Sequence, residues 1–93
     1  MAAAWNVDFT AGARRELKAL ESQARATAIQ VILDLAEDPV PPDAVALRGY
    51  KNLYRVRCFH DRLRVVCHIS ERSRKLIVTR IRPRGTAYIG MRG

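Results

Sequence analysis

The 93-residue sequence predicts a single α+β domain in which an N-terminal strand and a two-helix hairpin pack on one face of a twisted antiparallel sheet. Three observations predict it. Trp5, Val7 and Phe9 alternate with Asn6 and Asp8, the period of two expected of a strand with one buried face. Apolar residues then recur at helical spacing as far as residue 38. From Leu53 onward the period returns to two in successive runs separated by polar turn signals. A chain of this length has room for one modest core, and an apolar content of 48% fits a globular domain, not a disordered basic tail.

Thr10 is placed to cap a helix over residues 11–20 whose apolar stripe is Ala13, Leu17 and Leu20. Ser22 is placed to cap a second helix, with Ala24, Ala28, Val31, Ile32 and Leu35 on one stripe. That helix must stop by Asp38, because Pro39 disfavours helical geometry in the residue before it. Three prolines within residues 39–43 make an extended connection. Residues 44–49 then lead into the sheet, and Gly49 is free to take a positive φ at the turn.

Residues 53–59 and 62–69 read as a hairpin turning at His60-Asp61. A turn centred there, of two or four residues, sets Arg57 opposite Arg64, Arg55 opposite Val66 and Tyr54 opposite Cys67. Alternation then puts Tyr54, Val56, Cys58, Leu63, Val65, Cys67 and Ile69 against the helices, and Arg55, Arg57, Arg62, Arg64 and His68 on the other face. A second turn at residues 71–74 leads to a strand over 75–82. There Ile77, Thr79 and Ile81 alternate with Leu76, Val78, Arg80 and Arg82; the latter set is expected to extend the arginine face, with Leu76 and Val78 as its apolar floor. Pro83 and Gly85 end the strand.

Charge is divided unevenly along the chain. From Leu47 onward eleven arginines and two lysines face only Asp61 and Glu71, whereas the first 46 residues hold seven acidic side chains against four basic ones. Such an asymmetry predicts a polyanionic partner for the second half, with nucleic acid first and an acidic protein second. A membrane surface fits less well, since the basic residues lie on strands and not on an amphipathic helix. No stretch reads as a leader or reaches membrane-spanning length. Cys58 and Cys67 fall out of direct opposition in the hairpin, so they are expected to be free, buried thiols of a cytoplasmic protein.

Like charges directly opposite on a sheet are destabilising, so Arg57 facing Arg64 breaks a local rule, and such conflicts concentrate at functional sites. Guanidiniums match phosphate oxygens bidentately, keep their charge at any physiological pH and stack on bases. Several converging on one RNA phosphate can offset its charge and stabilise a departing 5′-oxygen. They are poor proton acceptors, because arginine does not deprotonate. His60 and His68 are the acid–base candidates: His60 in a turn, where exposed histidines are commonly incidental, and His68 at the far end of the arginine face. Tyr88 is either a packing residue near the chain end or a platform for a base.

The order strand, helical hairpin, proline-rich connection, "LRG", arginine-bearing meander and closing "RPRGTAY" resembles the RelE/ParE superfamily of toxins from type II toxin–antitoxin systems, most closely the RelE branch. The resemblance covers nearly the whole chain and is strongest from Leu47 to Tyr88, through "LYRVR" and "RLRVV" as well. It implies a RelE-like, microbial-ribonuclease-type fold over residues 1–93. It implies a ribosome-dependent, metal- and cofactor-independent endoribonuclease that cuts mRNA in the A site by 2′-hydroxyl attack, and a cognate antitoxin that wraps the toxin in a hetero-oligomer. By position, the family's catalytic set falls on Arg55, Arg57, Arg64, Arg82 and Tyr88. Arg62, Arg80, Arg84, Lys51 and His68 are assigned to RNA contacts.

Two departures from the family pattern bear on proton transfer. Pro83 stands where many relatives have a histidine, and Arg55 and Arg57 replace lysines. Charge stabilisation through Arg64 and Arg82 survives, whereas slow cleavage follows unless His68 or the ribosome takes the proton. The ParE branch, which poisons DNA gyrase, generally lacks this arginine and tyrosine set, so the set favours RNA cleavage. The two rival classes are a ParE-like gyrase inhibitor and a non-catalytic member whose arginine face only binds RNA or an acidic antitoxin segment.

Overall fold

The computed structural model describes residues 4–83, so Arg84 and Tyr88 lie outside the described residues. The elements follow the order strand β1 (Asn6–Phe9), helix α1 (Ala11–Ala19), helix α2 (Ser22–Glu37), then strands β2 (Val45–Ala46), β3 (Leu53–Cys58), β4 (Leu63–Ser70) and β5 (Lys75–Pro83). They form one five-stranded sheet ordered β1-β5-β4-β3-β2. The expected antiparallel meander is present as β3, β4 and β5. The N-terminal strand joins it parallel to β5, so the whole sheet is mixed. Both helices lie on one face, where Ala28, Ile32 and Leu35 meet Val56, Val65, Leu76 and Ile81 in the core.

Thr10 caps α1 as its sequence position predicts, its Oγ1 accepting the Ala13 N–H at 3.1 Å. The capping role expected of Ser22 falls instead on Glu21, through its backbone: α2 begins at Ser22 and has no side-chain cap. The Arg25 N–H donates to the Glu21 carbonyl, so the turn between the helices is too short to leave Ser22 outside.

The hairpin register is as expected, with Arg57 opposite Arg64 and Tyr54 opposite Cys67. Its turn spans residues 59–62, with Phe59, His60 and Asp61 all at positive φ and the Arg62 N–H bonded to the Phe59 carbonyl at 3.1 Å. Arg62 therefore lies in the turn, exposed, and not on the strand face expected for it. Cys67 is buried, but Cys58 near the turn is only half-buried. Loss of hydration on burial pushes the Cys67 thiol up to about 12 and the Cys58 thiol to about 11.

Strand β5 corrects the sequence reading more substantially. Val66 pairs with Arg80 but Cys67 pairs with Val78, which leaves Thr79 as an extra residue in a β-bulge. The bulge reverses the alternation. Leu76 and Val78 are fully buried on the helix side together with Ile81, and they are not the floor of the arginine face; Arg80 and Arg82 remain on that face. Hydrogen bonds fix the irregularity: Thr79 Oγ1 donates to the Val66 carbonyl at 3.2 Å, and the Thr10 hydroxyl donates to the Thr79 carbonyl at 3.3 Å.

Candidate nucleic-acid site

Strand pairing arranges the face away from the helices in rows. Arg57, Arg64 and Arg82 stand side by side on β3, β4 and β5; Arg55, Val66 and Arg80 form the next row, and Leu53, His68 and Ile77 the one after. Five of the six positions nearest the 59–62 turn are arginines, on three adjacent strands whose spacing is about 4.8 Å. The outer rows are not an open basic surface throughout, because Leu53 and Val66 are both buried.

Arg64 sits at the centre of the first row and is 6% exposed, the only charged side chain buried among the described residues. Its Nε and Nη1 are shut off from solvent and have no hydrogen-bond partner among those residues. A guanidinium is costly to bury in this setting, since its hydration is lost and no described carboxylate is bonded to those two nitrogens. Arg57 is half-exposed and pairs with Asp61 across the turn, Nε to Oδ1 at 3.4 Å.

The other side of the row is closed by Glu16, which the sequence reading did not single out. Its Oε1 accepts the Ile81 N–H at 2.8 Å, and its Oε2 lies 3.3 Å from Arg82 Nε and 3.5 Å from Arg80 Nη1. The available signal was its place in α1. Glu16 is three residues after Ala13 and four before Leu20, so an acid stands on the apolar stripe that packs toward the sheet.

The remaining candidates are dispersed. His68 lies four residues from Arg64 along β4, about 13 Å at the rise of a strand. Lys51 is exposed beyond the opposite end of β3 from Arg57, while His60 and Arg62 are exposed in the turn beside the first row. Nothing described bears on Tyr88 or Arg84. Among the described residues no helix is long and apolar enough to cross a membrane.

The arrangement can bind a phosphate. A tetrahedral anion in front of Arg64 would meet donors from three strands, and its negative charge would relieve the repulsion within the row. No carboxylate in the row is unengaged: Glu16 takes three donors and Asp61 pairs with Arg57.

No family model matches the sequence, and no curated protein matches it either. Solved structures do match. The isolated E. coli RelE toxin superposes with a TM-score of 0.79 at 19% identity, covering 96% of this chain and 94% of the toxin. A chain of the intact E. coli RelBE toxin–antitoxin complex gives 0.75 at 22% identity over 84% of this chain and 94% of its own length. A chain of the archaeal RelE-RelB complex from Pyrococcus horikoshii gives 0.72 at 20% identity, over 91% of this chain and all of its own. Across that range of source organisms the likeness spans both helices and the sheet, and the chain has the fold of the RelE toxins.

Proposed function

We propose that the protein is the toxin of a type II toxin–antitoxin pair, a ribosome-dependent endoribonuclease that cleaves mRNA and so inhibits translation in the cytoplasm. The observation that carries this reading is Arg64: a buried guanidinium at the centre of an arginine row, flanked in register by Arg57 and Arg82. The fold shared with RelE toxins supports it independently, as does the count of basic residues in the second half of the chain. Its partner in the resting cell is an antitoxin protein, by analogy with the toxin–antitoxin complexes that have this fold.

In the proposed reaction the ribose 2′-oxygen bonds to phosphorus and the bond from phosphorus to the 5′-oxygen breaks, leaving a 2′,3′-cyclic phosphate and a 5′-hydroxyl. The 2′-hydroxyl loses a proton and the departing oxygen gains one. Arg64 and Arg82 hold the scissile phosphate and offset the charge that builds on its oxygens and on the leaving group. Arg57 and Arg55 bind adjacent phosphates, Arg62 and Arg80 extend the basic surface, and Tyr88 stacks on a base. His68 stands beyond the few ångströms over which a base takes a proton from the nucleophile at Arg64, and the arginines keep theirs. Proton acceptance is left to His60 in the turn beside the row, to the ribosome or to solvent, and the arginines' share of catalysis is electrostatic.

Induced expression in a bacterial host, wild type beside the Arg64→Ala/Arg82→Ala double variant, tests this by primer extension on an abundant mRNA. Growth arrest with new 5′ ends inside codons is expected for the wild type alone. Arrest without new ends would sink mRNA cleavage, and a supercoiling assay would then test gyrase. Unimpaired growth with both chains would leave a binding protein without ribonuclease activity.

A further inference from the structure

We propose that Glu16 is a positioning residue for the phosphate site: its carboxylate holds the Arg82 guanidinium, and Arg80 with it, beside Arg64. The proposal rests on the ribonuclease reading above. Strand β1 ends at Phe9, opposite Val78, so beyond that point β5 has no strand neighbour on this side. Helix α1 runs there instead. Glu16 accepts the Ile81 N–H that a further strand would otherwise take, and this backbone anchor fixes the carboxylate between the side chains of the two residues flanking Ile81. The second oxygen then meets Arg82 Nε at 3.3 Å and Arg80 Nη1 at 3.5 Å, so one carboxylate clamps three consecutive residues of the strand.

Contact through Nε leaves the two terminal nitrogens of Arg82 as the donors for a bidentate phosphate contact. Without the carboxylate no described acidic side chain would oppose the repulsion between Arg82 and Arg64 in adjacent positions of one row. The neighbouring guanidinium also has space to move into, since Arg80, Thr79, Thr10, Arg15 and Glu16 line a cleft of about 530 Å³. Glu16 is not placed as a proton acceptor, because both of its oxygens are already taken by N–H donors.

The test measures mRNA cleavage on programmed ribosomes for the wild type, Glu16→Gln, Arg82→Lys and the double variant, over a range of protein concentration and alongside thermal unfolding. Lysine at position 82 keeps a charge and a slow rate but lacks the Nε that Glu16 holds. The saturating rate of Glu16→Gln is expected to fall on the order of a hundredfold, as for a misplaced catalytic group. Its half-saturating concentration should stay within about threefold, because the charge on the face becomes more positive. Adding Glu16→Gln to Arg82→Lys should cost no more than about threefold further, since both act through one guanidinium. Should the glutamine variant fail to fold, Glu16→Asp keeps the charge on a shorter arm and should show the same non-additivity. Undiminished cleavage by Glu16→Gln, or losses that multiply fully in the double variant, would overturn the proposal while leaving the ribonuclease reading intact. No cleavage by the wild type would overturn both.

Discussion

Replacing Arg64 with methionine should make the protein more stable and inactive. Arg64 is 6% exposed, and two of its nitrogens are buried without a partner among the described residues. Leaving one such donor unsatisfied costs about 1–3 kcal/mol, and like charges facing each other on a sheet add a few tenths each. Arg57 and Arg82 both face it. Methionine keeps an unbranched apolar stem in the same space and removes the charge. Taking the low end for each nitrogen, because neighbouring groups relax, the gain is about 2 kcal/mol, or roughly 10 °C in Tm for a domain of this size. Thermal and urea unfolding in a chloride buffer free of multivalent anions would measure it. Sulfate at ten times its Kd should stabilise the wild type by about 1.4 kcal/mol and leave the variant unmoved. A methionine variant that is less stable than the wild type, or that responds equally to sulfate, would refute the reasoning, because Arg64 would then serve the fold and not the binding of an anion.

Thr10→Ala removes the α1 cap and the hydroxyl that holds the Thr79 carbonyl. A loss of about 2 kcal/mol is expected in urea unfolding, with Thr10→Ser costing under about 1 kcal/mol. Cys67 should resist thiol reagents at pH 8 until the protein unfolds, since its thiol is pushed up to about 12. Its folded pKa lies above the ordinary value of 9.0, so the unfolded state releases this proton first and the associated stability is lost as pH rises from 9 toward 12. The slope is at most about 1.4 kcal/mol per pH unit. Cys67→Ala should flatten that part of a stability-against-pH curve, read by urea unfolding at fixed steps between pH 8 and 11.

The hairpin of β3 and β4 was legible because its register depends only on where the turn is centred. Two or four loop residues about the same point give the same pairs, so Arg57 meets Arg64 in either case. The face of β5 was not legible. Leu76, Val78, Arg80 and Arg82 share a parity in the sequence, yet two of them are core and two are site. Alternation alone would have forced either Leu76 and Val78 into solvent or two arginines into the core. The chain avoids both by inserting Thr79, and a threonine in a strand carries no sign that it is the inserted residue. The burial of Arg64 was hidden for a related reason: alternation assigns a face but not its depth, and β4 is the central strand, with neighbours on both sides.

The bulge, the cap and the carboxylate are parts of one solution to a problem of edges. Strand β1 is four residues long and β5 is nine, so strand pairing alone would leave the last part of β5 with open hydrogen-bonding groups on that edge. Buried backbone groups without partners are costly, and an open edge invites association. Here α1 takes the place of the missing strand. Thr10 donates to the Thr79 carbonyl and Glu16 accepts from the Ile81 N–H, two contacts from a single helix to alternate residues of one strand edge. Satisfying that edge with an ionised side chain, where a backbone carbonyl would serve as well for the N–H alone, has a consequence that only the arginines explain. A carbonyl could not hold Arg80 and Arg82 against Arg64 with a full negative charge. The same residue thus completes the sheet and brings together guanidiniums that would otherwise repel one another. Replacing Glu16 by a neutral acceptor is accordingly expected to spare the fold and disable the site.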